Sequence, residues 1–348
     1  MIFVMRKGAT EEEIQGVVRF LEEHGLRAHL SRGVELTIIG AIGDEQVLEP
    51  LPLQALPGVE RVMPVMKPYR LANRLTRPEG TVVRVGRDTT RTTEIGGPEL
   101  VLIAGPCAVE GRELLRSIAR SVERAGAGVL RGGAFKPRTS PYSFQGLGEE
   151  ALRMLREVGD ELRLPVVTEV RTVHQVEPVA RYADMFQVGA RNMQNYDLLL
   201  EVGRARKPVL LKRGFAARIE ELLMAAEYVM SQGNHQVVLC ERGIRSFEPA
   251  TRFTLDLSAV PVLKRETHLP VIVDPSHAAG KAHLVPALAL AAVAAGADGV
   301  MIEVHCQPEA ALCDGEQALL PTTLGRLAAD LAAIRRLVNE ADYLRPPS

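Results

Sequence analysis

Residues 131–146 concentrate side chains that are able to bind an anion. The segment reads R-G-G-A-F-K-P-R-T-S-P-Y-S-F-Q-G. Its cations are Arg131, Lys136 and Arg138, and its hydroxyl groups include those of Thr139 and Ser140. Cations beside hydroxyl donors suit an anion with several oxygens, so this segment predicts a site for a phosphate or a carboxylate.

The composition around these cations favours a binding loop over an ordinary basic surface loop. A surface loop would carry solvating polar residues, whereas Phe135, Tyr142 and Phe144 are interspersed here. Because glycine has no side chain, Gly132 and Gly133 are expected to let the backbone approach a ligand closely.

More cations follow apolar runs later in the chain. They are Arg191, Lys212, Arg213 and Arg242. The chain as a whole is nearly neutral, with 42 basic and 43 acidic residues and a net charge of −1. Cations collected in one place would therefore serve substrates with several negative charges, most simply two phosphates and a carboxylate.

A second set of residues has the donor atoms of a metal site. It comprises Cys107, His277, Glu303 and Asp314. A thiolate, an imidazole and two carboxylates suit a divalent ion of the Mn, Fe, Co or Zn class. Their separations are too wide for a zinc-finger motif. His305 is an alternative ligand because it lies two residues after Glu303.

Eight apolar runs alternating with helical patterns would position these residues. The runs are Leu100–Ala104, Gly128–Arg131, Pro165–Val170, Met185–Gly189, Pro208–Lys212, Gln236–Cys240, Pro270–Val273 and Gly299–Val304. Continuous apolar strands with crossover helices predict a (β/α)8 TIM barrel, whose active site lies at the carboxyl ends of its strands. A doubly wound sheet is the alternative, but no glycine fingerprint follows the first run.

The residues before the barrel predict two further parts. Residues 1–68 read as strand, helix, strand, strand, helix, strand, which suits a small ferredoxin-like α+β domain. They contain no cluster of catalytic residue types, so a regulatory role is expected. Residues 69–98 form a connector with a short β-hairpin, and the barrel should occupy residues 99–342.

Composition excludes several other classes of protein. The balanced charge implies neither nucleic acid nor a membrane surface as a partner, and no apolar run is long enough to span a bilayer. Four cysteines without a pairing pattern, Cys107, Cys240, Cys306 and Cys313, indicate free thiols and a cytoplasmic location.

Five motifs together carry a family resemblance. They are Arg131–Gly146, Gly189–Asn195 (G-A-R-N-M-Q-N), Leu211–Gly214, Cys240–Gly243 (C-E-R-G) and Val273–His277 (V-D-P-S-H). With them the chain resembles 3-deoxy-D-arabino-heptulosonate-7-phosphate (DAHP) synthase, in the microbial subgroup with an N-terminal ferredoxin-like domain. The resemblance implies condensation of phosphoenolpyruvate with erythrose 4-phosphate, the entry step of aromatic amino-acid biosynthesis, by a homotetramer. The related octulosonate-8-phosphate synthases lack the K-P-R-T sequence that residues 136–139 retain.

The resemblance also implies residue roles. Arg131 and Lys136 would bind the carboxylate of phosphoenolpyruvate, with Arg191, Lys212 and Arg242 on its phosphate and Asp274 among the substrate-binding residues. Arg138, Thr139 and Ser140 would bind the aldose phosphate. Cys107, His277, Glu303 and Asp314 would hold the metal that polarises the aldehyde, which makes Cys107 and His277 catalytic. Glu169 would orient the attacking water, and Lys136 would deliver a proton.

Two other functions fit parts of the pattern. A Schiff-base aldolase would use Lys136 or Lys212 as its nucleophile and would need no metal. A sugar-phosphate sensor would need the cations alone, so the four metal-competent residues argue against it. Cys306 and Cys313 depart from the family pattern, and Cys313 is expected near the metal because it precedes Asp314.

Overall fold

The computed structural model describes residues 1–33, 37–48, 50–63, 67–136 and 140–341. The chain divides into two compact units, Met1–Pro68 and Tyr69–Ser348.

The first unit is an antiparallel sheet with one long helix. Its elements are β1 (Ile2–Met5), α1 (Glu11–Glu23), β2 (Arg27–Arg32), β3 (Thr37–Ile42) and β4 (Val59–Met63). The strand order is β2-β3-β1-β4, which places the first strand between the third and the fourth. Phe3, Leu21 and Ile39 are buried in its core. This is the ferredoxin-like arrangement that the sequence predicts.

The two predicted helices of this unit differ in outcome. The hydroxyl of Thr10 accepts from the backbone N–H of Glu13, whose carboxylate accepts from the backbone N–H of Thr10, so a capping box begins α1. The helix predicted near residues 45–56 is instead two single 3-10 turns, Glu45–Leu48 and Leu53–Ala55. Pro50 and Pro52 lack the N–H groups that a continuous helix would need there.

A short hairpin precedes the barrel in the second unit. Its strands, β5 (Val83–Val85) and β6 (Thr93–Ile95), pair antiparallel. Val83, Val85 and Ile95 are fully buried and pack into the cluster of side chains that fills the barrel interior. The hairpin therefore closes that interior.

Eight parallel strands form the closed barrel that the sequence predicts. They are β7 (Val101–Gly105), β8 (Val129–Arg131), β9 (Val166–Val170), β10 (Met185–Val188), β11 (Val209–Lys212), β12 (Val237–Glu241), β13 (Val271–Val273) and β14 (Gly299–Glu303). Each strand pairs with the next, and β14 pairs with β7. The (β/α)8 prediction is confirmed.

Helices surround these strands. They are α2 (Arg112–Arg124), α3 (Glu149–Glu161), α4 (Val173–Tyr182), α5 (Tyr196–Arg204), α6 (Ile219–Met230), α7 (Ala259–Glu266), α8 (Pro275–Ala279), α9 (Val285–Ala294) and α10 (Pro321–Glu340). Alternate strand residues divide between the two cores: Val101 and Ile103 face the interior, whereas Leu102 and Ala104 pack against the helices. Both strand faces are thus buried, which explains why each run is continuously apolar.

The segment after Tyr69 is fastened to the barrel by one carboxylate. Glu227 of α6 accepts hydrogen bonds from the backbone N–H groups of Arg70, Leu71 and Ala72 at 3.0, 2.8 and 2.9 Å.

No helix among the described residues has the length and apolarity needed to cross a membrane.

Candidate active site

The carboxyl ends of the strands surround a cavity of about 260 Å³. Nine predicted site residues line it: Arg131, Lys136, Ser140, Glu169, Arg191, Lys212, Arg242, His277 and Asp314. The parallel strands place these ends at one edge of the barrel, and the residues therefore meet although they are far apart in sequence.

The four predicted metal ligands form one cluster. One donor atom from each of Cys107, His277, Glu303 and Asp314 lies within 4.8 Å of the others. Cys107 follows β7, His277 lies on α8, and Glu303 ends β14. Asp314 lies in the loop before α10 with a left-handed φ of 52°.

The imidazole of His277 is oriented by Asp274. The carboxylate of Asp274 accepts from the backbone N–H of His277 at 2.9 Å and from its Nδ1 at 2.7 Å. With Nδ1 carrying the proton, Nε2 keeps a free electron pair for a metal, and it lies 3.3 Å from Glu303 Oε1. Burial lowers the pKa of His277 despite the nearby carboxylates of Asp274 and Glu303, and it thereby favours the neutral ring that binds metals.

Asp274 stays ionised in this buried position. Burial works against the charge, but His277 and the Lys212 ammonium, which contacts the carboxylate directly, hold the pKa of Asp274 well below its ordinary value. Asp274 thus links a predicted phosphate ligand to the candidate metal centre.

Glu303 is fully buried and is held at both oxygens. Its Oε1 accepts from Arg131 Nη1 at 2.7 Å, and its Oε2 accepts from Gln317 Nε2 at 2.6 Å. Gln317 in turn accepts from Arg252 Nη1 at 3.0 Å, and Arg252 lies 3.3 Å from Asp314. Gln317 and Arg252 were not predicted as site residues, because nothing in their local sequence indicates these contacts.

The thiol of Cys107 lies among groups that shift its pKa in opposite directions. Its Sγ is 3.4 Å from Cys313 Sγ, 3.3 Å from Asp314 Oδ2 and 3.1 Å from Lys136 Nζ. The hydrogen bond with Cys313, burial and the charge of Glu303 raise the pKa of Cys107 well above its ordinary value, against the effect of Lys136. Cys107 therefore has to lose a proton when a metal binds.

Asp314 is ionised, as a metal ligand must be. Burial opposes its charge, but Arg252, His277 and Lys136 lower the pKa of Asp314 to about 2. The geometry and the donor types of the four side chains thus fit a divalent transition metal.

The cations of the cavity fall into two groups. Arg131 and Lys212 have buried carboxylate partners, Glu303 and Asp274. Among the described residues, neither Arg191 nor Arg242 has a carboxylate within ion-pair distance. Moreover, Arg131 Nε is buried and has no hydrogen-bond partner among the described residues. These groups leave the cavity prepared for an anion.

Two glycine predictions have a different explanation from the one expected. A Cβ on Gly132 would lie 2.8 Å from Leu155, and a Cβ on Gly133 would lie 2.6 Å from the carbonyl of Cys107. These glycines are required by contacts within the protein, and the expected close approach of this backbone to a ligand stays a prediction. At Gly189, a Cβ would lie 2.2 Å from Glu169 Oε1, so this glycine makes room for the Glu169 carboxylate.

The remaining predicted cations and hydroxyl groups differ in outcome. Arg138 and Thr139 fall outside the described residues, and Ser140 beside them is exposed. Arg213 pairs with the buried Glu241 and the half-buried Asp256, both at 2.8 Å, and does not line the cavity.

The alternative ligand His305 is not a member of the metal cluster. His305 Nε2 instead lies 3.7 Å from the carboxylate of Glu110. The two departures from the family pattern also separate: Cys313 contacts Cys107, whereas Cys306 Sγ lies 3.6 Å from Ser117 on α2.

A closed parallel barrel with a cation-lined cavity and a candidate metal cluster at its strand ends defines a (β/α)8-barrel enzyme that acts on small phosphorylated substrates.

Comparison with known proteins identifies the family. The model of the DAHP synthetase I family matches residues 83–340, and the model of the DAHP synthase ferredoxin-like domain matches residues 1–67. The chain belongs to the DAHP synthetase I family, as its motifs predict.

Individual relatives agree with this assignment. The phospho-2-dehydro-3-deoxyheptonate aldolase of Thermotoga maritima is 51% identical over 319 residues, which cover 92% of this chain and 93% of the relative. A crystal structure of the DAHP synthase from Thermotoga maritima superposes with a TM-score of 0.89 and 48% identity, covering 97% of this chain and 98% of that one. A 2-dehydro-3-deoxyphosphooctonate aldolase of Geobacter sulfurreducens is 34% identical over 270 residues, which cover 72% of this chain and 98% of the relative.

Proposed function

We propose that this enzyme condenses phosphoenolpyruvate with D-erythrose 4-phosphate and water, giving 3-deoxy-D-arabino-heptulosonate 7-phosphate and phosphate. The observation that carries the proposal is the meeting of anion-binding cations and four metal-competent side chains in one cavity. That combination suits a reaction that must hold two phosphorylated substrates and polarise one of them.

Phosphoenolpyruvate would occupy the inner part of the cavity. Arg131 and Lys136 are both buried beside the candidate metal cluster, and they would bind the carboxylate. Arg191, Lys212 and Arg242 would bind the phosphate. The unpartnered Nε of Arg131 supports an anion at the first position, and the absence of a carboxylate at Arg191 and Arg242 among the described residues supports one at the second.

Erythrose 4-phosphate would enter at the open end. Ser140 lines the cavity and is exposed there, so the aldose phosphate would lie on Ser140, Arg138 and Thr139. The aldehyde would then point inward, toward C3 of phosphoenolpyruvate.

Two buried side chains, those of Lys136 and Glu169, would take part in the bond changes. C3 of phosphoenolpyruvate forms a bond to the aldehyde carbon, and Lys136 gives a proton to the alkoxide that results. Burial opposes its charge, but the neighbouring acidic groups of Cys107, Cys313 and Glu303 raise the pKa of Lys136, so the ammonium carries the proton that this step needs. Water oriented by Glu169 adds to C2, and the bond between C2 and the phosphate-bearing oxygen breaks to release phosphate. Of the two protons of this water, one leaves on the phosphate and the other replaces the proton that Lys136 gave.

A divalent ion of the Mn, Fe, Co or Zn class would be held by Cys107, His277, Glu303 and Asp314. When bound, such an ion supplies a Lewis acid at the aldehyde and stabilises the thiolate of Cys107. Chelation should abolish turnover and remove about one ion per chain, and added Mn²⁺ should restore both activity and stoichiometry. Full activity in protein shown to be free of metal would refute this part.

The choice of the four-carbon aldose rests on the extent of similarity. Identity to the heptonate aldolase relative is 51% over 92% of this chain, against 34% over 72% for the octonate aldolase relative. Initial rates of phosphate release with phosphoenolpyruvate should be far higher with erythrose 4-phosphate than with arabinose 5-phosphate. The opposite order would show that the aldose is wrongly assigned.

Two observations count against a Schiff-base mechanism. The raised pKa of Lys136 and the ion pair of Lys212 with Asp274 both favour ammonium groups, whereas a Schiff base needs a neutral amine. Borohydride treatment with substrate should therefore leave the mass of the chain unchanged.

A cytoplasmic location and a homotetrameric assembly are further parts of the proposal, and the family resemblance supports them.

A further inference from the structure

Two stacked phenylalanine rings form part of the cavity wall. The rings of Phe215 and Phe253 lie 4.9 Å apart between centroids, with an angle of 11° between their planes. Phe215 follows β11, and Phe253 lies in the segment between β12 and α7. We refer to these two rings as the aromatic platform.

The aromatic platform carries the guanidinium of Arg242. Cζ of Arg242 lies 4.0 Å from the centroid of the Phe253 ring and 4.9 Å from that of Phe215. Arg191, on the loop after β10, lies over the same Phe215 ring at 5.2 Å. A cation within about 6 Å of a ring centroid is attracted by the electrons of the ring face.

Arg242 has few other interactions. Its side chain is 4% exposed, and burial lowers its pKa to about 10. Among the described residues, its side chain donates two long hydrogen bonds, to the carbonyl oxygens of Gly243 at 3.4 Å and His277 at 3.3 Å.

The other arginines that line the cavity are held differently. Arg131 pairs with Glu303 at 2.7 Å, and Arg252 pairs with Asp314 at 3.3 Å. In the described part of the chain, Arg191 and Arg242 have no such carboxylate, and both lie over the platform. The guanidinium groups therefore divide into those fixed by carboxylates and those supported by rings.

We infer that Phe215 and Phe253 are positioning residues for the phosphate of phosphoenolpyruvate. A carboxylate partner would orient a guanidinium but would also neutralise much of the charge that a phosphate needs. A ring face fixes the plane of the guanidinium while leaving its N–H groups and its charge available to the ligand. The inference rests on the proposed function, because it takes Arg191 and Arg242 as ligands of that phosphate.

The test compares Phe253→Leu, which keeps apolar bulk but has no ring, with Phe253→Tyr, which keeps the ring. A cation–π contact of typical strength corresponds to roughly 2- to 30-fold in affinity. Phe253→Leu should raise the Kd for inorganic phosphate and the KM for phosphoenolpyruvate by about that factor, with a much smaller effect on kcat. Phe253→Tyr should restore both constants.

Controls separate positioning from general packing. Phe215→Leu tests the second ring independently, and it should show the same pattern. Tyr196→Leu disrupts another stacked pair, that of Tyr196 and Tyr228, on the helices α5 and α6. This variant should leave phosphate affinity unchanged.

A double-mutant cycle gives the decisive result. In the background of Arg242→Gln, Phe253→Leu should weaken phosphate binding much less than it does in the parent chain, because the cation that it supports is gone. Equal losses in the two backgrounds, or wild-type affinity in Phe253→Leu, would overturn the inference and leave the proposed function standing. If Arg242→Gln alone leaves phosphate affinity unchanged, then the assignment of Arg242 is wrong and the inference fails with it.

Discussion

Gln317 determines how Glu303 presents its carboxylate to the candidate metal site. The amide N–H of Gln317 donates to Glu303 Oε2 at 2.6 Å, and the amide oxygen of Gln317 accepts from Arg252. Gln317 is 2% exposed. Residues that orient metal ligands in this way typically contribute about 10- to 100-fold to metal affinity. Gln317→Ala should weaken Mn²⁺ binding by roughly that factor, measured by competition with a chromophoric chelator.

The matched control for this prediction is Gln194→Ala. Gln194 also donates to a glutamate, Glu221, but on the surface at 3.2 Å. This variant should bind Mn²⁺ as the parent chain does. Equal metal affinity in Gln317→Ala and the parent would show that Glu303 needs no such support.

Cys107 and Cys313 form a pair that oxidation should join. Their Sγ atoms are 3.4 Å apart, and a disulfide requires about 2.05 Å, so a small movement suffices. Oxidised glutathione can supply the balance: the two thiols lose two protons and two electrons, and two molecules of glutathione are released. In metal-free protein, peptide mapping should show a Cys107–Cys313 cross-link and a loss of metal binding that dithiothreitol reverses.

Bound metal should prevent this reaction because it occupies the Cys107 sulfur. The raised pKa of Cys107 keeps the free thiol mostly protonated near neutral pH, so the cross-link should form slowly. Cys313→Ser provides the control, and it should retain metal binding after the same treatment. Loss of binding in Cys313→Ser at the parent's rate would contradict the prediction.

The sequence indicates some site residues and not others for a physical reason. Cys107 and His277 follow apolar runs and Glu303 ends one, and a barrel brings such positions to one edge whatever path the loops take. Phe215, Phe253 and Gln317 owe their positions to side-chain packing between segments that are distant in the chain. No spacing rule reports such contacts, so these residues emerge from the structure alone.

Among the elements, buried strands were predicted most accurately. All eight barrel strands appear, because a strand covered on both faces is apolar throughout and stands out from its flanks. Six of the eight strands begin one residue later than predicted, and three of the six predicted starts are prolines, Pro165, Pro208 and Pro270. Each of these prolines accepts a hydrogen bond through its carbonyl but has no N–H to extend the ladder, whereas the shift at Leu100, Gly128 and Gln236 has no such cause.

His268 joins the segment after Tyr69 to the end of α7 through both ring nitrogens. Its Nδ1 lies 2.7 Å from the hydroxyl of Thr81, and its Nε2 lies 2.7 Å from the carbonyl of Leu71. A neutral ring satisfies both contacts, accepting from the hydroxyl and donating to the carbonyl. Burial, and then the charges of Arg77, Arg74 and His235, lower the pKa of His268 against the effect of its bond to Leu71.

This shift predicts a stability that depends on pH. As the pH falls below about 6.5, His268 takes up a proton in the unfolded chain, whereas in the folded chain it does so only at a lower pH. The free energy of unfolding should therefore fall as the pH drops from 7 toward 5. Between pH 7 and pH 5, the midpoint temperature of thermal unfolding should drop less for His268→Gln than for the parent. The exposed His174 supplies the control, and a drop of equal size in His268→Gln and His174→Gln would contradict the prediction.

At the scale of the whole molecule, the two units have separate hydrophobic cores. Phe3, Leu21 and Ile39 belong to the core of Met1–Pro68, whereas the barrel encloses its own clusters of buried side chains. The residues of the candidate active site all belong to Tyr69–Ser348. Catalysis and the first unit are therefore separable in principle, and we expect residues 1–68 to regulate the barrel.

Deleting residues 1–68 tests that expectation. The shortened chain should keep kcat and both KM values within a few-fold of the parent, because every predicted ligand and catalytic group remains. Inhibition of the full chain by tyrosine or phenylalanine should disappear from the shortened one. The other role for this unit is assembly alone, and sedimentation of both chains distinguishes the two. A shortened chain that is still inhibited, or a full chain that no aromatic amino acid inhibits, would assign the unit to assembly. A shortened chain that loses inhibition while keeping its oligomeric state would assign it to regulation, since only the binding of the inhibitor would then have changed.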